Sequence, residues 1–155
     1  MTPLYEVIIN KNTTTKPVWI MRQAGRYLPE FREIRKDNPN FIELCLNHKL
    51  SKEITLQPIE RFNLDAAIIF SDILMLPYGL RQKVEFKKNF GPLLGNLDIK
   101  LMSKVDEIDF TEKVYPVYKA IKSVSSEMNL KNKNTIGFVG APWTLLVYMI
   151  NQQSP

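Results

Sequence analysis

Residues Pro17–Arg32, PVWIMRQAGRYLPEFR, join a short apolar run to a loop that carries two arginines. The apolar run Val18–Met21 is rich in β-favouring side chains, which predicts a strand buried on both faces. Gly25 lies between polar flanks and suits a turn, so the second half is predicted to be a loop. Arg22 and Arg26 then lie just past a strand end, where ligands bind in parallel α/β proteins.

Two further segments repeat the pattern of a buried strand that runs into a turn. Ala66–Phe70 is apolar on both faces and leads into Asp72. Thr135–Val139 runs through a Gly-Ala-Pro turn into a segment that carries Tyr148. A buried strand followed by a polar residue and a loop is typical of a β/α unit. Three such units with right-handed crossovers would lie side by side in a parallel sheet.

Apolar side chains at three- and four-residue spacing predict two long helices between these strands. The first covers Ser51–Phe62, with a kink at Pro58, and the second covers Thr111–Met128. Shorter helices are predicted at residues 4–9, 30–36, 41–47 and 143–150. Lys83–Phe86 alternates as a small exposed strand does, and the glycines and proline of Gly91–Ile99 predict a loop.

Three β/α units do not close a barrel. A (β/α)₈ TIM barrel takes about 250 residues, so these 155 residues would carry roughly its first three β/α units, as the N-terminal part of one domain without an internal boundary. The pattern alone leaves an open doubly wound sheet as the alternative. No glycine-rich phosphate loop follows any of the three strands, which argues against nucleotide binding.

Composition narrows the class of partner. The formal charge is +5, from 21 Lys and Arg against 16 Asp and Glu, which favours anionic ligands. The lysines are scattered, so a mildly basic surface is predicted rather than a nucleic-acid site. One cysteine, Cys45, excludes an internal disulfide, and with His48 it supplies too few ligands for zinc. The sequence shows neither a signal peptide nor an 18-residue apolar run, which predicts a cytoplasmic protein without a membrane partner.

The residues at the three strand ends suggest one kind of substrate. Arg22 and Arg26 carry planar guanidinium groups, each of which can donate two parallel hydrogen bonds to a carboxylate. Asp72, when ionised, accepts hydrogen bonds or stabilises positive charge. Tyr148 adds a donor beside an aromatic wall that includes Trp143. Together they favour a substrate with several acidic arms and a centre that donates N–H groups or becomes cationic.

Each of these residues also has an ordinary structural interpretation. The two arginines can be surface residues that pair with Glu30 or Glu33, a contact of little energy. Asp72 can cap a helix, and Tyr148 can pack on an amphipathic helix. Only their shared position at consecutive strand ends favours a site.

At these residues the sequence resembles the uroporphyrinogen decarboxylase family. The resemblance covers Leu4–Ile150 and corresponds to the N-terminal part of the family's length. The motifs that carry it are PVWIMRQAGRYLPEFR at 17–32, ITLQP at 54–58, DAAIIFSDIL at 65–74 and GFVGAPWTL at 137–145.

The resemblance implies a single (β/α)₈ barrel that forms a homodimer and takes no cofactor or metal. It implies a decarboxylase that removes carbon dioxide from the four acetate side chains of uroporphyrinogen III, giving coproporphyrinogen III in haem biosynthesis. The residues that match substrate-binding positions of the family are Arg22, Gln23, Ala24, Gly25, Arg26, Asp72 and Tyr148.

Two of these residues are the expected catalytic groups. Asp72 in FSDIL resembles the carboxylate that accepts the pyrrole N–H groups and stabilises a ring cation. Arg22 in RQAGR is expected to relay a proton or to steer the departing carboxylate. The sequence departs from the family at Asn151–Gln153, where an acidic residue and a glycine-rich loop are expected. The family's downstream serine and C-terminal histidine have no counterpart in these 155 residues.

Two other functions stay open at this stage. The chain can be a non-catalytic remnant of a split or truncated gene that binds porphyrins passively. It can also be a relative that transfers methyl groups with zinc. Such relatives need His and Cys ligands, and the RQAGR loop is not expected in them.

Overall fold

The computed structural model describes residues 1–87 and 90–154. Within these ranges the chain is an α/β protein of eight helices and four short strands. In chain order they are α1 Pro3–Ile8, α2 Pro29–Asp37, α3 Phe41–Leu46, α4 His48–Phe62, β1 Ala66–Ile68, α5 Met75–Gly79, β2 Val84–Lys87, β3 Gly91–Leu94, α6 Ile99–Met102, α7 Glu107–Leu130, β4 Asn134–Ile136 and α8 Pro142–Asn151. None of these helices is both long enough and apolar enough to cross a bilayer.

Strands β1 and β4 form a parallel pair in which Ala67 lies opposite Thr135. The chain between them includes the long helix α7, as a parallel connection requires. The Ile69 N–H extends the pairing by donating to the Ile136 carbonyl at 3.1 Å. The predicted adjacency of these two strands is therefore confirmed, although both are shorter than the apolar runs suggested.

The predicted strand at Val18–Met21 is wrong, because this segment is irregular and its four side chains are exposed, Met21 to 70%. It meets the start of β1 at one residue only. The Asp65 N–H donates to the Val18 carbonyl at 2.9 Å, and the Val18 N–H donates to the Asp65 carboxylate at 2.7 Å. The next carbonyl along β1, that of Ala66, accepts from the Gln23 side chain. The Gln23 side chain therefore occupies the Ala66 carbonyl, which a strand paired with β1 on this side would use as its hydrogen-bond acceptor.

Strands β2 and β3 form an antiparallel hairpin in which Val84 pairs with Leu94 and Lys87 with Gly91. The predicted small strand at 83–86 is thus confirmed, whereas the predicted loop at 91–99 is wrong over residues 91–94. Gly91 adopts φ 81°, a conformation that glycine tolerates, and Pro92 lies in an edge strand, where a missing donor costs little. The loop prediction is also wrong at Ile99, where α6 begins.

The two long helices form as predicted and cover β1. Helix α4 begins where the Asn47 side chain accepts from the Lys49 and Leu50 N–H groups, and it contains Pro58. Helix α7 is capped by Asp106. Between these helices and β1 lies an apolar core of Leu56, Ile59, Leu64, Ala67, Ile69, Ala120, Val124 and Met128.

A second core lies under the segments that follow the two parallel strands. It contains Leu74 and Met75 from the chain after β1 and Leu145 and Met149 from α8, which follows β4. Helix α3 contributes Cys45, and the hairpin covers the same cluster with Val84 and Leu94. The residues that follow β1 and those that follow β4 therefore pack against the same apolar core.

Helix α5 meets α7 so closely that Gly79 leaves no room for a side chain. A Cβ built on Gly79 would lie 2.3 Å from Phe110 Cε2. We expect Gly79→Ala to lower the free energy of unfolding by about 1–3 kcal/mol, because overpacking forces the ring or the helix to move. Urea unfolding measures the loss. The matched control is Gly137→Ala, whose Cβ would meet nothing within 4 Å, and equal losses in both variants would contradict the close contact.

Candidate active site

The loop that carries the two arginines is tied to β1 through Gln23. This side chain is only 2% exposed, and its Nε2 donates to the Ala66 carbonyl at 3.0 Å. Its Oε1 accepts from the Ile20 N–H at 3.3 Å. A turn follows, in which the Leu28 N–H donates to the Gly25 carbonyl at 3.0 Å. The hydrogen bonds of Gln23 therefore anchor the arginine loop beside β1.

The guanidinium groups of Arg22 and Arg26 lie at the surface of this loop. Within residues 1–87 and 90–154 neither forms an ion pair with Glu30 or Glu33. Glu30 instead receives a two-pronged contact from Arg61, with Nη2 2.9 Å from Oε2 and Nε 3.0 Å from Oε1. The surface pairing considered for the two arginines is therefore absent among the residues that the structure describes.

Asp72 follows β1 and is half-buried. Its Oδ1 accepts from the Leu74 N–H at 2.8 Å, and no cation of the described ranges pairs with the carboxylate. Burial raises the pKa of Asp72, and the Leu74 N–H opposes that rise. The residue does not occupy the N-cap of α5, which is Leu74. Asp72 thus keeps acceptor capacity that its own chain does not use.

The charges of Arg26 and Asp72 act on two different groups. Burial lowers the pKa of Arg35, and the charge of Arg26 lowers it further. Burial raises the pKa of the Cys45 thiol, Asp72 raises it further, and Arg35 lowers it.

Arg35 is a candidate that sequence reasoning missed. Its Nη1 donates to the Asn38 carbonyl at 2.6 Å, and its Cζ lies 5.4 Å from the centre of the Phe41 ring. The signal in the sequence was its place in the last turn of the predicted helix 30–36, just before the stop at Asn38 and Pro39. That pattern is also typical of an ordinary surface arginine.

A row of phenylalanines lies beside Arg35 and runs towards Asp72. The Phe41 ring centre is 5.7 Å from that of Phe70 and 4.5 Å from that of Phe86, and Phe31 lies 5.8 Å from Phe70. Phe70 is two residues before Asp72. These rings belong to or pack against the apolar cores. Trp143, for which a place in an aromatic wall was predicted, is 74% exposed.

Tyr148 lies on α8 and packs against the apolar cluster that contains Cys45. Its hydroxyl is 3.3 Å from the Ser154 Oγ. Of the other predicted residues, Ala24 packs against the core around Leu28 and Phe31. Gly25 lies in the turn, where an added Cβ would approach only the Tyr27 ring.

Two cavities lie away from these residues. One, of about 810 Å³, is lined by α2 and α4 residues that include Glu30, Gln57 and Arg61. The other, of about 740 Å³, runs between α4 and α7 past Lys52, Lys119 and Lys122. Neither contains a predicted site residue.

The comparisons with known proteins agree on one family. The family model for uroporphyrinogen decarboxylase (URO-D) matches residues 1–155. The uroporphyrinogen decarboxylase of Agrobacterium fabrum is 46% identical over 145 residues, which are 93% of this chain and 42% of that protein. That of Chelativorans sp. is 43% identical over 95% of this chain and 43% of its own length. The uroporphyrinogen decarboxylase of Rickettsia bellii is 48% identical over 134 residues, which are 86% of this chain and 39% of that protein.

The chain thus spans about two fifths of the length of these curated relatives. The matched region contains the arginine loop, the Asp72 segment and the start of α8. The chain belongs to the uroporphyrinogen decarboxylase family.

Proposed function

We propose that this chain is the N-terminal part of a uroporphyrinogen decarboxylase and carries roughly the first three β/α units of its single (β/α)₈ barrel domain. The family match and the parallel β1–β4 pair with its α7 connection support this assignment. The segment before Gln23 would supply the first unit, β1 the second and β4 the third. The remaining units would come from the part of the family's length that these residues do not span.

The proposed reaction removes carbon dioxide from the four acetate arms of uroporphyrinogen III and gives coproporphyrinogen III. The observation that carries the proposal is the half-buried carboxylate of Asp72, which accepts one hydrogen bond from the Leu74 N–H and pairs with no cation of the described residues. A carboxylate that accepts from pyrrole N–H groups, together with exposed arginines that bind carboxylate arms, matches this substrate.

Asp72 and the arginines have distinct roles in each step. A proton adds to the ring carbon that bears the acetate arm and makes the ring cationic, and Asp72 stabilises that charge. The bond between the arm's CH₂ and its carboxylate then breaks, carbon dioxide leaves, and the electron pair neutralises the ring. A proton added at the CH₂ makes the methyl group, and the ring carbon loses its proton. Arg22 relays a proton or steers the departing carboxylate.

The other site residues hold the substrate. Arg26 and Arg35 bind further carboxylate arms, and Tyr148 donates to one from α8. The phenylalanine row beside Arg35 offers an apolar face to the macrocycle. The ring itself accepts the electrons, so the proposed chemistry calls for no cofactor. From the resemblance we also propose that the complete protein is a cytoplasmic homodimer.

Reconstitution tests the proposed function. Uroporphyrinogen III is incubated without oxygen with the chain alone, with the complementary C-terminal part of the Agrobacterium fabrum relative alone, and with both. We expect coproporphyrinogen only from the mixture, measured by chromatography after oxidation. A stable complex of the two parts that makes no product would contradict a catalytic role.

A non-catalytic porphyrin-binding fragment is the second candidate. The exposed run Val18–Met21 favours it, since the strand expected there does not form in this chain. Binding of porphyrin without product in the mixture would support this candidate. The curated relatives named above are decarboxylases, which favours decarboxylation over the zinc-dependent methyl transfer considered from the sequence.

A further inference from the structure

Gln23 is placed differently from the two arginines that it separates. Arg22 and Arg26 are exposed, whereas the Gln23 side chain is 2% exposed. Both ends of its amide are already paired, Nε2 with the Ala66 carbonyl and Oε1 with the Ile20 N–H. A substrate that bound this amide directly would have to break contacts within the chain.

The partner of Gln23 on β1 is a group on the open edge of the sheet. The Asp65 carbonyl accepts from the Asn134 N–H on the β4 side at 3.1 Å. Carbonyls alternate in direction along a strand, so the Ala66 carbonyl points to the edge away from β4. There the Gln23 amide donates to it at 3.0 Å. A buried carbonyl left without a donor loses the hydrogen bonds it has with water in the unfolded chain, which makes this contact a strong constraint on the loop.

The main chain of Gln23 is held as well. The Tyr27 hydroxyl donates to the Gln23 carbonyl, and the Tyr27 ring stacks on Phe62 at the end of α4, with ring centres 6.2 Å apart. The side chain and backbone of one residue thus join the loop to β1 and to α4. Arg22 directly precedes this fixed point, and Arg26 follows it by three residues.

We propose that Gln23 is a positioning residue: it holds the loop on the edge of β1 so that Arg22 and Arg26 present their guanidiniums to the substrate's carboxylates from a fixed base. The inference rests on the proposed function for the identity of the substrate. The geometry of the loop stands independently of it. Fixing the loop in advance removes the ordering cost that flexible arginines would incur on binding.

The chain offers a matched control in Gln82. This glutamine is 3% exposed and also donates to backbone carbonyls, those of Gly95 at 2.8 Å and Met149 at 3.0 Å. It ties the hairpin to α8 and has no contact with the arginine loop. Gln82→Leu therefore removes an equally buried glutamine and its two hydrogen bonds from another part of the core.

The experiment compares Gln23→Leu with Gln82→Leu by two measurements. The first is amide hydrogen exchange over residues 20–28. The second is the affinity for uroporphyrin, the stable oxidised form of the proposed substrate, followed by its fluorescence. We expect Gln23→Leu to speed exchange in this segment and to weaken uroporphyrin binding, each about tenfold, since small misplacements of binding groups are costly. Gln82→Leu is expected to leave both within about twofold.

A milder variant covers the case in which Gln23→Leu does not fold. Tyr27→Phe removes the hydroxyl that donates to the Gln23 carbonyl and keeps the ring stack with Phe62. It is expected to change the same two quantities in the same direction, about two- to threefold, for the loss of one hydrogen bond.

The outcomes separate this inference from the proposed function. If the unchanged chain, assembled with the complementary C-terminal part, binds no uroporphyrin, the proposed function fails, and the exchange measurement alone decides whether Gln23 anchors the loop. If Gln23→Leu and Gln82→Leu weaken uroporphyrin binding equally, or if exchange over residues 20–28 is the same in both, Gln23 is an ordinary core residue and the inference is overturned.

Discussion

Replacement of Asp72 by asparagine should abolish turnover by the reconstituted enzyme and, at the same time, stabilise the chain at neutral pH. Activity is expected to fall at least about a hundredfold, because the ring cation loses the carboxylate that stabilises it. The free energy of unfolding is expected to rise by about 1 kcal/mol, since a half-buried charge with a single hydrogen bond is costly. Anaerobic turnover and urea unfolding measure the two effects.

The direction of the stability change follows from the raised pKa of Asp72. The folded protein keeps the proton to a higher pH than the unfolded chain does. Its stability therefore falls as the pH rises from the ordinary carboxyl pKa to the raised value, and the loss is fully present above that window. The asparagine variant should gain stability at neutral pH and lose that gain in acid.

Asp106 provides the control for this substitution. It is exposed and accepts the Asp109 N–H at 2.7 Å as the N-cap of α7. Asparagine is as good an N-cap as aspartate, so Asp106→Asn should change neither stability nor activity appreciably. A loss of stability in Asp72→Asn at neutral pH would contradict the costly buried charge.

Removal of both loop arginines, Arg22→Ala with Arg26→Ala, is expected to weaken uroporphyrin binding about a hundredfold or more. Each arginine offers a charge-assisted contact to a carboxylate arm, a contact of about 1.5–3 kcal/mol. Fluorescence titration at low and at physiological ionic strength gives the affinities. The salt dependence should weaken together with the affinity, because the lost contacts are ionic.

The control for the double arginine variant removes two positive charges from another basic surface. Lys119 and Lys122 line the cavity between α4 and α7. Their double replacement by alanine lowers the formal charge of +5 by the same amount, and it should weaken binding only a few-fold. Equal losses in the two double variants would show that uroporphyrin responds to overall charge and not to the arginine loop.

The parts of the fold that the sequence predicted well are those with local signals. Helix α4 has an Asn cap and α7 an Asp cap, and both carry apolar side chains at helical spacing. The apolar runs that became β1 and β4 are bounded by polar turns, and their pairing follows from the rule that a connection through a helix joins parallel strands. Their lengths were overestimated, and β4 is half-buried, with Phe138 and Val139 exposed beyond its end.

The misses depend on contacts between distant residues. Val18–Met21 has the composition of a buried strand, yet whether it pairs depends on the edge of β1, where Gln23 takes the Ala66 carbonyl. Gly91 and Pro92 are loop signals in sequence, but the partner strand β2 makes them part of a hairpin. Arg35 carried only the signal of an ordinary arginine at a helix end, because Phe41, over whose ring it lies, comes from another helix.

The resemblance pointed to seven residues, and their roles as a site stay predictions. The structure exposes Arg22 and Arg26 on the loop, leaves Asp72 half-buried after β1, and packs Tyr148 against the apolar core that includes Leu74. It buries Gln23, which a motif cannot reveal, since a loop residue next to a ligand-binding arginine is expected to share its exposure. The catalytic roles of Arg22 and Asp72 stay predictions.

A crystal structure of the chain assembled with the C-terminal part of the Agrobacterium fabrum relative, grown with coproporphyrinogen, tests the central claim most directly. We expect the pyrrole nitrogens within hydrogen-bonding distance of the Asp72 carboxylate and the carboxylate arms on Arg22 and Arg26. A macrocycle bound in the lysine-lined cavity between α4 and α7, or Asp72 and the arginines on separate surfaces, would contradict it.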